Sequence, residues 1–196
     1  MHSPGRCRDA RGGVLEFLGS MTKPRVHELA DNLLGGQLPP TLSQFWRLRR
    51  VDFKDAGLVS VVLPEPGKFM KLQFFDLSMN WLIGALPASL AGMRSMREFD
   101  ISSKKFAGLE AKAVVPLPQQ NLTGPIQPKI TEMANPEKQD LSPNLLTRSI
   151  PSSFDSLKNL KMLTLNGNEL SGTIPPEIGN MSALQKFDVD TNKLEG

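Results

Sequence analysis

The stretch that decides the fold is Leu160-Lys-Met-Leu163-Thr-Leu165-Asn-Gly-Asn168-Glu-Leu170-Ser-Gly172-Thr-Ile174-Pro175, because its spacing recurs along the chain. Six of its positions match again 24 residues later, at Leu184, Phe187, Val189, Asn192, Leu194 and Gly196. One step earlier the matches are Asn144, Leu146, Ile150 and Pro151, and in the first half Phe53, Leu77 and Ile101 share the spacing. A fixed period of this length indicates a repeat architecture.

The physical chemistry of one unit predicts how the repeats pack. Leu163-Thr-Leu165 alternates apolar and polar residues, which is typical of a short strand with one buried face. Strands that recur at a constant step can stack side by side in parallel. Ile178 and Met181 follow at helical spacing and predict a short turn on the outer face. Only neighbouring units can cover the apolar residues of each unit, so stability grows by stacking.

The arrangement L-x-x-L-x-L-x-x-N-x-L-x-G-x-I-P resembles the plant-specific class of leucine-rich repeat. The resemblance covers roughly residues 12 to 196, and phrases such as Asn121-Leu-Thr-Gly-Pro-Ile126 look like the ectodomains of plant leucine-rich-repeat receptor-like kinases. It implies an α/β horseshoe solenoid, with a parallel β-sheet on the concave face and short helical turns on the convex face. It also implies a non-catalytic module that senses a peptide ligand or a co-receptor protein.

The repeats are predicted to fall into two blocks that are out of phase. Residues 1–11 are an irregular N-terminal segment, and residues 12–106 and 117–196 keep the period of 24, the second block ending in mid-repeat. Phe106 and Leu122 are 16 residues apart, so residues 107–116 are interpreted as a shortened unit that lacks eight residues. About eight strands are therefore expected, with the stacking interrupted or tilted at this weakest and least ordered joint.

The asparagine of the motif is predicted to satisfy backbone groups at the bend that follows each strand, since a carboxamide offers two donors and an acceptor. The expected ladder is Asn32, Asn80, Asn144, Asn168 and Asn192. Several units depart from the motif, at Ala56, Lys104 and Gln120 in the ladder, at Ser60 and Arg148 in the glycine position, and at Pro136 and Gln139 in apolar strand positions. Buried polar groups without partners cost about 1–3 kcal/mol each, so these units are expected to be less stable.

Composition and motifs exclude several functions. The net charge is only +3, and Cys7 is the single cysteine, which leaves no internal disulfide and, with only His2 and His27 beside it, no zinc site of ordinary spacing. Signatures of protein kinases, phosphate-binding loops, serine hydrolases and zinc proteases are missing. His27 falls on a buried strand position and is interpreted as a filler. We therefore expect no catalytic residue, no metal, no cofactor and no nucleic-acid partner.

The predicted binding surface is the concave face, where residues between the buried strand positions point outward. One column there is largely acidic: Glu28, Asp52, Asp76, Asp100, Pro116, Asp140, Thr164 and Asp188. Such a stripe would attract a basic peptide or a cation, although aspartate is also common at this position of the family's repeats whatever the ligand. The predicted ligand-binding residues are Asp52, Phe74, Asp76, Ser78, Met79 and Asp100, with Phe74 and Met79 as the apolar patch.

The compartment is indicated by two opposing signals. Asn121-Leu-Thr123 and Asn180-Met-Ser182 fit the acceptor pattern for N-glycosylation and favour an extracellular or plasma-membrane-associated location, as the resemblance implies. The chain itself has no signal peptide or membrane span, which taken literally predicts the cytosol. Three alternatives stay open: a secreted inhibitor-type repeat protein, an intracellular scaffold, or a truncated relic of a receptor gene without a function of its own.

Overall fold

Short parallel strands repeat through the chain. The computed structural model describes residues 26–32, 34–38, 42, 47–62, 69–103 and 121–196. Seven three-residue strands form the first sheet and lie side by side in chain order: β1 (Val26–Glu28), β2 (Arg50–Asp52), β4 (Phe74–Asp76), β6 (Glu98–Asp100), β8 (Lys138–Asp140), β10 (Met162–Thr164) and β12 (Lys186–Asp188). All the pairings are parallel, as the constant step predicts.

A second parallel sheet follows the first through each unit. Its six strands are β3 (Val59–Val61), β5 (Trp81–Ala85), β7 (Leu122–Pro125), β9 (Leu145–Arg148), β11 (Glu169–Gly172) and β13 (Lys193–Leu194). The predicted helical turns are 3₁₀ helices, at Ala88–Gly92, Pro128–Glu132, Ser152–Ser156 and Pro176–Asn180. Three of them begin after a proline, whose ring fixes φ near about −65°, for example −59° at Pro175. The predicted parallel-sheet solenoid with short turns is confirmed.

The core lies between the first sheet and the turns. The middle residue of each strand in the first sheet points inward, and Val51, Phe75 and Phe99 are fully buried. The rings of Phe75 and Phe99 stack with centroids 5.9 Å apart. Two middle residues are polar: His27 is 4% exposed and Gln139 is 0% exposed. The strand alternation seen in the sequence therefore sets which face is buried, even where a polar residue occupies the inner position.

The joint between the two blocks differs from the prediction. Strand β6 pairs directly with β8, so that Asp100 lies opposite Asp140 although these two residues are separated by more than one period and less than two. No strand stands between β6 and β8 in this sheet, so the strand expected at Pro116 between them and the interrupted stacking are wrong. The described residues contain seven strands of this sheet. The Ser103 hydroxyl donates to the side-chain oxygen of Asn121. The chain thus leaves the unit and returns at neighbouring points, which describes one unit with extra residues rather than a shortened unit.

The predicted boundaries of this joint, residues 107 and 116, lie outside the described residues. The same holds for Lys104 and Gln120, the two departures from the asparagine ladder that flank it, and for the N-terminal segment 1–11.

Four of the five predicted ladder asparagines make one common set of hydrogen bonds. In Asn168, Oδ1 accepts the Leu146 N–H at 3.0 Å, and Nδ2 donates to the carbonyls of Leu141 and Leu165. Asn80, Asn144 and Asn192 repeat this pattern. In each, Nδ2 donates to a carbonyl of its own unit and to a carbonyl of the unit before, and Oδ1 accepts a backbone N–H of the unit before. Each carboxamide therefore joins two consecutive units. Asn32 is exposed, and among the described residues it donates to the nearby carbonyls of Leu29 and Ala30; the preceding unit, where its other ladder partners would stand, lies outside the described residues.

The departures from the motif have different consequences in the structure. Ala56 is buried, and its N–H is satisfied by Asn80 of the next unit. Ser60 accepts the Leu38 N–H and donates to the Val61 carbonyl, so its hydroxyl is satisfied. Arg148 adopts φ = 66° where the equivalent Gly172 has φ = 76°, a left-handed conformation that favours glycine. Pro136 is buried and lies just before β8 rather than in it.

Candidate functional site

The outward face of the first sheet, called here the open sheet face, consists of the first and third residues of each strand. The third residues form one row across adjacent strands: Glu28, Asp52, Asp76, Asp100, Asp140, Thr164 and Asp188. Because adjacent strands lie about 4.8 Å apart, their carboxylates stand close together. First and third residues together supply seven carboxylates against three cations, so the open sheet face is acidic.

The aspartates of the row also shape the bend after each strand. Oδ1 of Asp76 accepts the Ser78 N–H at 2.8 Å and the Ser78 hydroxyl at 2.6 Å. The pairs Asp100 with Ser102 and Asp140 with Ser142 repeat both bonds. These carboxylates therefore hold the turn with one oxygen, which leaves Oδ2 as the oxygen that can contact a ligand.

Basic side chains on the same face neutralise part of the row. Arg50 lies 2.6 Å from a carboxylate oxygen of Glu28 and 3.0 Å from Oδ2 of Asp52. Lys138 lies 3.4 Å from Oδ2 of Asp100, and Lys186 lies 3.6 Å from Asp188. Within the described part of the chain, Asp76 has no basic side chain at ion-pair distance.

Burial changes the acidity of two members of the row. The pKa of Asp76 is raised above its ordinary value, mainly because the carboxyl is partly removed from water; the bonds from Ser78 oppose this, and the charges of Asp100 and Asp52 add to it. The pKa of Asp140 is raised for the same first reason, with Asp100 adding to the shift and Lys138 opposing it. A cation beside Asp76 would stabilise the charged carboxylate and so offset the effects of burial and of the neighbouring carboxylates.

The predicted apolar patch is partly covered. The Arg50 guanidinium lies over the Phe74 ring at 3.5 Å from its centroid, an arrangement typical of a cation–π contact. One face of the aromatic side chain is therefore already occupied. Met79 is half-buried and has φ = 62°. Ser78 is only 3% exposed and donates its hydroxyl to Asp76, so little of its side chain is open to a ligand.

The structure brings most of the predicted ligand residues together. Asp52, Asp76 and Asp100 occupy the same register position on three neighbouring strands, and Phe74 lies on the same face of β4 as Asp76. Sequence reasoning missed the cations Arg50 and Lys138. A signal for them existed, because each stands two residues before an acidic member of the row and so shares its face of the strand.

The remaining candidate residues are spread over other surfaces. His27 is buried, and burial lowers the pKa of its imidazole. Cys7 lies outside the described residues. Asn121 begins the return path next to β7, and Asn180 is exposed at the end of the 3₁₀ helix Pro176–Asn180. In the described ranges, His, Cys, Asp and Glu side chains form no group of three that could hold a metal ion. No helix in those ranges is long and apolar enough to cross a membrane.

The fold and the repeated asparagine bonds are those of a leucine-rich repeat solenoid. The Leucine Rich Repeat family matches residues 159–181, which lie in the most regular part of the chain. Over most of its length, the structure resembles the ectodomains of plant leucine-rich-repeat receptor kinases. No curated protein sequence matches the chain.

Three solved structures illustrate the resemblance. The ectodomain of GASSHO1/SCHENGEN3 from Arabidopsis thaliana, in complex with CASPARIAN STRIP INTEGRITY FACTOR 2, is 25% identical over 83% of this chain, with a TM-score of 0.72. The plant peptide hormone receptor RGFR1, in complex with RGF2, is 25% identical over 90%, with a TM-score of 0.67. The Arabidopsis receptor kinase HAESA, in complex with the peptide hormone IDA and the co-receptor SERK1, is 28% identical over 87%, with a TM-score of 0.57. The chain spans 18% to 30% of the length of these three proteins.

Proposed function

We propose that this chain is a non-catalytic binding module, part of a receptor-like ectodomain, that recognises a basic or amphipathic peptide, or a basic segment of a co-receptor, on the open sheet face. The observation that carries the proposal is Asp76. Its Oδ1 is fixed by Ser78, its side chain is partly exposed, and no basic side chain among the described residues lies at ion-pair distance from it. A ligand arginine or lysine would supply the missing counter-charge.

The neighbours of Asp76 support a ligand that lies across the strands. Asp52 and Asp100 stand at the same register on either side, so a peptide with basic residues at regular spacing would meet successive carboxylates. Arg50 and Lys138 already bind these two flanking groups. A ligand cation would therefore bind Asp76 first and would have to displace a resident side chain to bind the others.

The similar receptor structures support the same class of function. All three are complexes with a named partner, which is CASPARIAN STRIP INTEGRITY FACTOR 2, RGF2 or the peptide hormone IDA, and one also contains a co-receptor. By this resemblance we also propose that the chain acts outside the cell or at the plasma membrane. The exposed Asn180 and the partly buried Asn121 are the proposed glycosylation sites.

The binding proposal is tested with a fluorescein-labelled peptide of alternating arginine and alanine, whose affinity is measured by anisotropy at several salt concentrations. Asp76→Asn should weaken binding about tenfold, since one close charge pair is worth roughly 1.4 kcal/mol, and should reduce the salt dependence. Phe74→Ala should have a smaller effect, because Arg50 already covers the ring. Glu177→Gln, in the turn Pro176–Asn180, is the matched control. Equal affinities for the Asp76 and Glu177 variants would overturn the proposal.

The proposed compartment has its own experiment. The chain is fused to a signal peptide and expressed in plant cells, and each asparagine is replaced separately, as Asn121→Gln and Asn180→Gln. We expect a glycan at Asn180 at least, because it is exposed at the end of a turn. Secreted protein without a glycan at either position would contradict the proposed extracellular role.

A further inference from the structure

A groove runs along the edge at which the strands of the first sheet begin, away from the acidic row. It has a volume of about 520 Å³, within the range of about 300–1,000 Å³ that is usual for ligand pockets. Its walls come from the residues that immediately precede β4, β6, β8 and β10, and from the return turns behind them. It therefore crosses four consecutive units. We call it the strand-start groove.

The groove exists because one unit carries a small residue where its neighbours carry long ones. Ala134 lines the groove, and it precedes its strand by the same number of residues as Arg94 and Lys158 precede theirs. The equivalent residue before β4 is Met70. The missing side chain at Ala134 opens the space, and Ser95 and Ala183, also small, widen it.

The charge of the groove is the reverse of that of the open sheet face. Its lining contains Arg94, Arg97 and Lys161 but a single carboxylate, Glu137. Lys161 lies 2.7 Å from Glu137, and Arg97 lies 3.8 Å from it on the other side. No side-chain partner of Arg94 is found in the described part of the chain. One end of the groove therefore has an excess of positive charge.

The backbone along this edge is already paired. The N–H groups of Arg97, Glu137 and Lys161 each donate to the carbonyl of the preceding unit. A ligand therefore cannot bind by adding to the backbone ladder and must bind through side chains. Asn159 donates one N–H to Asn135 at 2.8 Å. A carboxamide carries two N–H donors, so these two side chains keep donors for the carbonyl groups of a ligand.

We propose that the strand-start groove binds an extended acidic peptide segment, with a carboxylate held between Arg94 and Arg97 and backbone carbonyls bound by Asn135 and Asn159. This site is separate from the open sheet face and takes a ligand of the opposite charge. The chain would thus offer two surfaces, one for a basic segment and one for an acidic segment.

The test uses a fluorescein-labelled peptide of alternating glutamate and alanine, with anisotropy as the measurement. Arg94→Glu should weaken binding about tenfold or more, the effect of roughly 1.4 kcal/mol. The decisive variant is Ala134→Met, which fills the groove without a change of charge. The fold should tolerate it, because Met70 occupies the equivalent position before β4, and a thermal melt checks this. We expect Ala134→Met to weaken binding about fivefold, a free-energy difference of about 1 kcal/mol.

Controls separate this site from non-specific attraction and from the function proposed above. Lys129→Glu reverses an exposed charge in the turn Pro128–Glu132, and it should leave the affinity for the acidic peptide within about twofold, because exposed charges outside the site contribute little. Wild-type affinity in Ala134→Met, or no binding of the acidic peptide to the wild-type chain, overturns the groove proposal. The basic peptide should bind Ala134→Met and Arg94→Glu as it binds the wild type, so the two proposals can fail independently.

Discussion

The two blocks of repeats reach the same fold by different means. In residues 121–196, the ladder asparagines Asn144, Asn168 and Asn192 stand on three consecutive units and hold each unit to the one before. In the described part of residues 26–103, Asn80 makes the full set, Ala56 has no side-chain donor, and Asn32 is exposed and bonds to nearby carbonyls. Among the described residues, ladder bonds between units are therefore more numerous in the second block.

The first block compensates with aromatic packing. Four of its phenylalanines are fully buried: Phe53, Phe69, Phe75 and Phe99. The second block has one fully buried phenylalanine, Phe154, and fills its strand positions with residues such as Leu163. A large aromatic ring buries more apolar area than leucine. A repeat can therefore lose its ladder asparagine when its neighbours supply enough apolar contact.

The largest expected effect comes from breaking the ladder in the second block. Asn168→Ala would leave the Leu146 N–H without its side-chain partner. It would also remove one of the two side-chain donors from each of the carbonyls of Leu141 and Leu165, which keep their bonds from Asn144 and Asn192. Because a buried unsatisfied group costs about 1–3 kcal/mol and a lost hydrogen bond about 1 kcal/mol, we expect the free energy of unfolding to fall by about 3 kcal/mol in urea titrations. Asn32→Ala is the matched control and should cost less than about 0.5 kcal/mol, as an exposed substitution. Equal losses would show that the ladder does not distinguish the blocks.

The weakest core position lies where the blocks meet. Gln139 is 0% exposed between Phe99 and Leu163, its Nε2 reaches only the Met133 sulfur at 3.5 Å, and its Oε1 has no partner in the described structure. Gln139→Leu should raise the free energy of unfolding by about 2 kcal/mol, because it removes an unsatisfied acceptor and adds apolar contact. Gln185→Leu, at an exposed position, should give no gain. Destabilisation by Gln139→Leu would mean that the amide is satisfied in solution.

Much of this comparison could be predicted from the period alone. A constant step along the chain determines which residues share a face of the sheet. It therefore predicts the inward side chains, the ladder asparagines and the acidic row. The joint could not be predicted this way, because the spacing between Asp100 and Asp140 fits either one unit with an insertion or two units with a deletion. Only the direct pairing of these two aspartates distinguishes the two interpretations.

The details of the surfaces were also out of reach of the sequence. The cation–π contact between Arg50 and Phe74 depends on the side-chain conformations of residues on two neighbouring strands. The strand-start groove depends on the absence of a long side chain at Ala134, and its outline needs the positions of four units at once. A repeat period predicts which residues are neighbours but not how their side chains share the space.

Deleting the extra residues at the joint between the two blocks should have a smaller effect on stability. Deleting residues 104–119 would restore the regular period and place Gln120 at the ladder position. Since Ser103 and Asn121 already touch, the variant should fold with a free energy of unfolding within about 1 kcal/mol of the wild type, because closing a loop of this length costs little. Adding Gln120→Asn should then stabilise it by about 1 kcal/mol, the worth of one net hydrogen bond. An unfolded deletion variant would show that the extra residues are needed for the fold.

The smallest expected effect concerns the acidic row, and it depends on pH. Burial raises the pKa of Asp76 above its ordinary value of 3.8. The folded chain therefore keeps this proton to a higher pH than the unfolded chain, and the free energy of unfolding falls as pH rises from below 3.8 through the raised value. Asp76→Asn keeps an oxygen that accepts both bonds from Ser78 and loses the charge. It should be more stable than the wild type at about pH 7, and this advantage should shrink toward about pH 4.

The same substitution at Asp140, in the second block, should have a smaller effect on stability. Asp140 lies between one carboxylate, Asp100, and Thr164, and Lys138 opposes the rise of its pKa, whereas Asp76 lies between two carboxylates. Less repulsion is therefore relieved by Asp140→Asn, and its gain at about pH 7 should be smaller than that of Asp76→Asn. Urea titrations of both variants at the two pH values measure the difference, with Asp190→Asn as the control for the loss of a carboxylate at an exposed site. A larger gain from Asp140→Asn would mean that burial, rather than the neighbouring charges, sets the difference between the two blocks.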